Sequence, residues 1–145
     1  MPTNETIILF SKRKLTKLLF FSVGYGLLGL RQIVKKRPGL VIDKTGFTDY
    51  SSGLAAGHVS WSDVRGIKIV SLPGHKQRYI AIILKNPHAY LERQSSALKR
   101  KAMTLNLRKY GSPVQLSDTS LRCTFDELHY HLQKHFDRSR PYVLN

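Results

Sequence analysis

Hydrophobic positions alternate, crowd together or recur at helical spacing in separate stretches of this chain, and each pattern predicts an element. Residues 6–10, Thr-Ile-Ile-Leu-Phe, are branched and aromatic and predict a short strand. Residues 40–43 predict a second strand, Lys44-Thr45-Gly46 a turn, and residues 47–50 the returning arm of a hairpin. After a glycine- and alanine-containing loop over residues 51–57, a short strand is expected at 58–61 and a longer one at 64–72. In the longer strand, alternation puts Ile67 and Ile69 on one face and Val64 and Val70 on the other. Pro73-Gly74 is a turn dipeptide, so residues 77–85 should fold back as the hairpin partner. The near-continuous apolar run through Tyr79, Ile80, Ala81, Ile82, Ile83 and Leu84 is expected of a strand covered on both faces.

The period then changes. Asn86 can cap free backbone donors and Pro87 suits a first helical position. Leu91, Leu98, Ala102 and Leu105 recur as one narrow apolar face of a helix running to Tyr110, where Gly111 ends it. Residues 114–116 and 121–123 are short strand candidates around the Ser117-Asp118-Thr119 turn. Thr124 and Glu127 have the spacing of a capping box, and Phe125, Leu128, Leu132 and Phe136 follow as the apolar stripe of a terminal helix. The expected class is α+β: a bent antiparallel sheet or small open barrel, with an inserted basic helix and a C-terminal helix capping it.

One stretch stands apart from this order. Between Lys17 and Arg31 the chain carries Leu18, Leu19, Phe20, Phe21, Ser22, Val23, Gly24, Tyr25, Gly26, Leu27, Leu28, Gly29 and Leu30 without a charge. As a short apolar helix it would reach about 20 Å at about 1.5 Å per residue, against a bilayer core about 30 Å thick. Lys12, Arg13, Lys14 and Lys17 precede it and Arg31, Lys35, Lys36 and Arg37 follow. Positive charge is retained on the cytoplasmic side, so basic clusters at both ends keep both ends there. A segment that dips into one leaflet or lies at the interface satisfies length and charge together. The membrane contacts are then Leu18, Leu19, Phe20, Phe21, Val23, Tyr25, Leu27, Leu28 and Leu30, with the eight flanking cations on anionic lipid. A buried core helix is the competing reading of so short a run. A signal peptide fits the basic start, but Leu28-Gly29-Leu30-Arg31 offers no small-residue cleavage site.

Charge narrows the partners. In 145 residues, 24 Lys plus Arg against 9 Asp plus Glu give +15, which favours anionic partners, membrane phospholipid or nucleic acid. The length suits one domain with an appendage. The single cysteine, Cys123, excludes an internal disulfide and a cysteine-based zinc site. Lys99-Arg100-Lys101, with Arg93, Arg108 and Lys109, gives the inserted helix a basic outer surface. Only Tyr90 and Tyr110 interleave it with rings, fewer than single-strand binders use for stacking.

Catalytic chemistry finds little support. His131 and His135 share a helical face, but no third metal ligand accompanies them. The glycines at 53 and 57 and the Pro73-Gly74 pair lack the spacing of a phosphate loop. His58 and Asp63 have no nucleophile motif beside them, so Asp63 reads as a turn residue and Trp61 as a core anchor. No enzyme, cofactor or metal is expected.

Four runs carry a resemblance: KKRPGLVID (residues 35–43), SSGLAAGHVSWSDVRGIKI (51–69), KNPHAYLER (85–93) and YGSPVQLS (110–117). Together they resemble an uncharacterised family of small bacterial membrane proteins in which a hairpin of two membrane helices precedes a pleckstrin-homology-like domain. Where that family has two full hydrophobic helices, this chain has only residues 18–30, as if the outer part of the hairpin were lost. The resemblance implies an inner-membrane protein with its domain on the cytoplasmic side, and it carries over no catalytic residue. The expected division is residues 1–11 as the domain's first strand, 12–37 as the membrane-contact segment and 38–145 as the remaining domain. A non-enzymatic binding or scaffold protein follows. The alternative is a soluble nucleic-acid-binding protein with the apolar run in its core. Protein partners and oligomeric state are not readable from the sequence.

Overall fold

The computed structural model describes residues 6–9, 38–51 and 54–141. The predicted short apolar helix and both its basic flanks, within residues 10–37, lie outside the described residues. The described chain is α+β, with two antiparallel sheets and three α-helices.

The first sheet runs in sequence order through β1 (Thr6–Ile8), β2 (Leu40–Ile42), β3 (Gly46–Asp49) and β4 (Gly57–Ser60). A 3₁₀ turn at Trp61–Asp63, capped by the Ser60 side chain, leads into the second sheet. That sheet consists of β5 (Val64–Ser71), β6 (Arg78–Leu84) and β7 (Val114–Leu116). The strands therefore divide into layers of four and three, and among the described residues they do not close into a barrel. Between β6 and β7 lie α1 (Pro87–Glu92) and α2 (Ala97–Tyr110); α3 (Phe125–Ser139) ends the fold.

The core follows from the alternation. Leu40, Ile42, Phe47 and Val59 from the first sheet meet Ile80, Ile82, Leu84, Val114 and Leu116 from the second, and Leu128, Leu132 and Phe136 of α3 join the same buried cluster. Trp61 links the layers. Its ring lies 5.5 Å from Phe47 and 6.0 Å from Phe136, centroid to centroid, and its indole N–H donates to the Asp43 carbonyl at 2.9 Å. The expected capping box of α3 is present, with Thr124 and Glu127 each bonding the other's backbone N–H. Ala81, on the opposite face of β6 from Ile80 and Ile82, is also buried, so the centre of that strand is covered on both faces as its apolar run predicted.

Four expectations need correction. In β5, Ile67 and Ile69 share one face and Val70 takes the other as expected, but Val64 does not join Val70, because the ladder shifts register between Val64 and Gly66. Val64, Ile67 and Ile69 oppose Leu84, Ile82 and Ile80, which alternate along one face of β6, so all three share a face; Val64 and Ile67 pack in the core, while Ile69 stays 42% exposed. An extra residue, Arg65, resets the alternation, as a β-bulge does. Second, the single inserted helix is two. After Glu92 the chain turns through residues 93–96, and Ser96 starts α2 by accepting from the Lys99 N–H at 3.3 Å. A serine offering its own hydroxyl competes with helix continuation. Third, of the apolar face predicted for that helix Leu91 is buried, but its continuation in α2 is not the buried face: Leu98 is 79% and Leu105 57% exposed, whereas Met103 is 1% exposed and Leu107 packs on the core. Finally, residues 121–123 form no strand. Leu121 makes one isolated bridge, and the Arg122 N–H donates to the Leu9 carbonyl at 2.8 Å.

Candidate functional site

Two ends of the domain carry candidate chemistry, and α3 runs from one to the other. The first is the edge where residues 10–37 leave and return. Because β1 pairs antiparallel with β2, with Ile8 opposite Leu40, the chain departs and re-enters at neighbouring positions. Paired residues across such strands lie about 4.5–5.5 Å apart. Backbone bonds draw further segments to this edge: Gly39 N–H to the Ile8 carbonyl, Tyr50 N–H to the Gly39 carbonyl, both at 2.9 Å, and Arg122 N–H to Leu9. Leu9 and Tyr50, two of the exposed large apolar residues, therefore flank the point of departure.

The loop that carries Tyr50 and Leu54 is held by a buried carboxylate. Asp49 is 3% exposed; one of its oxygens accepts from the Ser51 N–H at 2.8 Å and the other from the Ala56 N–H at 2.9 Å. The Ala56 carbonyl in turn accepts from the Tyr90 hydroxyl at 2.8 Å. Burial, and after it the neighbouring Asp49 charge, pushes the Tyr90 phenol well above its ordinary range, so it stays a donor. Asp49 was hidden in the sequence because one carboxylate between a strand and a loop looks like any turn residue.

The second candidate is a cleft of about 590 Å³ at the other end. Lys44 reaches it from the β2–β3 turn, Arg65 from the β5 bulge, Lys85 from the end of β6 and Arg140 from just beyond α3. All four are exposed, and among the described residues no carboxylate lines the cleft. Its inner wall includes the buried Trp61 and Phe136. The geometry is fixed from below. Arg140 stands 4.4 Å over the Phe136 ring and donates to the Arg65 carbonyl at 3.1 Å. Asp43 shapes the turn by accepting from the Thr45 hydroxyl and N–H, each at 2.7 Å, and from the Gly46 N–H at 3.1 Å. Burial raises the Asp43 pKa, but these bonds outweigh it and hold the carboxyl below its ordinary value. The bulge is what turns Arg65 into the cleft, and no simple alternation in the sequence announces it.

The other candidate residues behave differently. The proposed lipid-contacting residues, Lys12 to Arg37 in sequence, all lie outside the described residues. His135 is buried and hydrogen-bonds Thr6 Oγ1 through Nε2 at 3.2 Å. His131 instead lies edge-on to the Tyr130 ring at 5.5 Å. Among the described residues no group of potential ligands could hold a metal ion. Asp63 belongs to the 3₁₀ turn and pairs with Arg93 at 3.8 Å. Along the outward edge of α2, Leu98, Lys101, Leu105 and Arg108 alternate apolar and basic. Among the described residues, no helix is long and apolar enough to cross a membrane. Comparisons with protein-family models, curated proteins and solved structures found no match.

Proposed function

We propose that this protein is a non-enzymatic binding module with a pleckstrin-homology-like domain, attached to the cytoplasmic face of a bacterial inner membrane by residues 18–30. The observation that carries the reading is the pairing of β1 with β2. It pins both ends of residues 10–37 to one edge of the domain, so a membrane segment there must return to the side it left. A dip into one leaflet meets that condition, and the two basic flanks then lie against the same anionic surface. Leu9 and Tyr50 at the same edge add apolar side chains suited to the interface. The division into sheets of four and three strands with a terminal helix packed on them supports the pleckstrin-homology-like assignment.

Fractionation and vesicle sedimentation test the proposal. The protein is expected in the membrane fraction of lysed cells and to sediment with vesicles containing phosphatidylglycerol, more weakly as salt rises. Recovery in the soluble fraction, without sedimentation on such vesicles, refutes it.

A further inference from the structure

We propose that the basic cleft binds the phosphate group of a soluble phosphorylated small molecule. Four cations from four separate parts of the fold converge on it, and among the described residues none that lines it is acidic. Such convergence is costly without an anion, because like charges repel across a shared space. The pair Arg65 and Arg140 is also preorganised: the bulge aims one, while the other is fixed by its bond to the Arg65 carbonyl and by the Phe136 ring. Guanidinium groups held in this way suit the oxygens of a phosphate. The hydroxyls at the cleft are already committed, Thr45 to Asp43 and Ser60 to the Thr45 carbonyl and Ser62, which leaves the cations to meet the ligand. The C-terminal carbonyls of α3 oppose an anion here, but they carry about half a charge against four full ones. A volume of about 590 Å³ suits a small molecule.

The source of the phosphate follows from position. Leu121 and Arg122, just before α3, lie by Leu9 at the exit edge, whereas Ser139 and Arg140 at its other end line the cleft. The 15-residue helix between them is about 22 Å long, while on the sheet side Lys44 stands four residues, about 13 Å, beyond Leu40 at the exit edge. Binding by the cleft needs no membrane; only the choice of a soluble source rests on attachment by residues 18–30.

Trp61 lines the cleft and is the sole tryptophan, so its emission reports occupancy. Full-length protein in a neutral detergent is titrated with inorganic pyrophosphate. A saturable emission change is expected, weakened about tenfold or more in the double variant Arg65→Gln/Lys85→Gln. It should be unchanged in Lys99→Gln/Arg108→Gln, which removes the same charge from α2. Both cleft side chains are exposed, and unchanged circular dichroism checks their folding. No saturable change, or equal weakening in both variants, overturns the proposal. The cleft variant is also expected to sediment with phosphatidylglycerol vesicles like the parent chain. If sedimentation is lost with it, the phosphate belongs to lipid and the soluble source is wrong. If the parent chain itself ignores vesicles, the membrane reading fails alone and saturable pyrophosphate binding still upholds the cleft.

Discussion

Replacing Asp49 by alanine should loosen the loop at the exit edge and lower the stability of the whole domain. The carboxylate supplies the acceptors for two backbone donors, Ser51 N–H at 2.8 Å and Ala56 N–H at 2.9 Å. Ala56 is buried, so its orphaned N–H would bear a penalty of about 1–3 kcal/mol. Ser51 is partly exposed, and water replaces its partner at a smaller cost, about 0.5–1 kcal/mol. Removing a buried charge returns some desolvation energy, which leaves a net loss of about 1–3 kcal/mol. At about 2–4 °C per kcal/mol, Tm should fall by roughly 2–12 °C. Asp49→Asn keeps one acceptor oxygen and should lose about half as much. Trp61, buried between Phe47 and Phe136, gives the signal for urea unfolding. A midpoint for Asp49→Ala equal to that of the parent, with an unchanged slope, would refute the assignment of Asp49 as the staple of this loop.

Other substitutions separate the remaining claims. Met103→Ala should cost about 2–4 kcal/mol in chemical unfolding and Leu98→Ala less than about 0.5; the reverse order would restore the helix face expected from sequence. Gly46→Ala should be strongly destabilising in thermal melts, because a Cβ there would overlap the Val59 carbonyl of the neighbouring strand. Burial holds the His135 pKa below its ordinary value, with the charges of Arg138, His131 and Lys134 adding to the effect against the bond that the imidazole donates to the Asp43 backbone carbonyl. The unfolded chain therefore binds this proton first, so stability should decline as pH falls below about 6.5 towards the lower folded value, and His135→Gln should flatten that part of the stability profile.

What the sequence disclosed about the fold was mostly local chemistry. The capping box at Thr124, the Gly111 terminator with φ of 76° and the two-sided covering of β6 each depend on residues close together in the chain. What stayed hidden depended on a partner far away. Leu98, Ala102 and Leu105 make a plausible apolar stripe until β7 and α1 determine which side of α2 is covered, and Met103 then wins over them. Arg65 reads as a solvated strand residue until the bulge is seen. The candidate sites divide in the same way. The basic-flanked apolar run can be read directly, whereas the cleft is assembled from Lys44, Arg65, Lys85 and Arg140, spread over 97 positions of sequence.

This division bears on how a net charge of +15 should be understood. Eight cations flank residues 18–30, five lie on α2 and four face the cleft, so the excess is not one field spread evenly over a sphere. Long-range attraction to an anionic leaflet draws on their sum, yet close contact is possible only for the groups that face the surface. With Ile8 and Gly39 joined by a backbone bond at the β1–β2 edge, the cleft opens at the far end of α3, about 22 Å along that helix. Cations gathered away from the proposed attachment edge can serve an anion of their own, so attachment at one end and phosphate binding at the other are compatible within a single small domain.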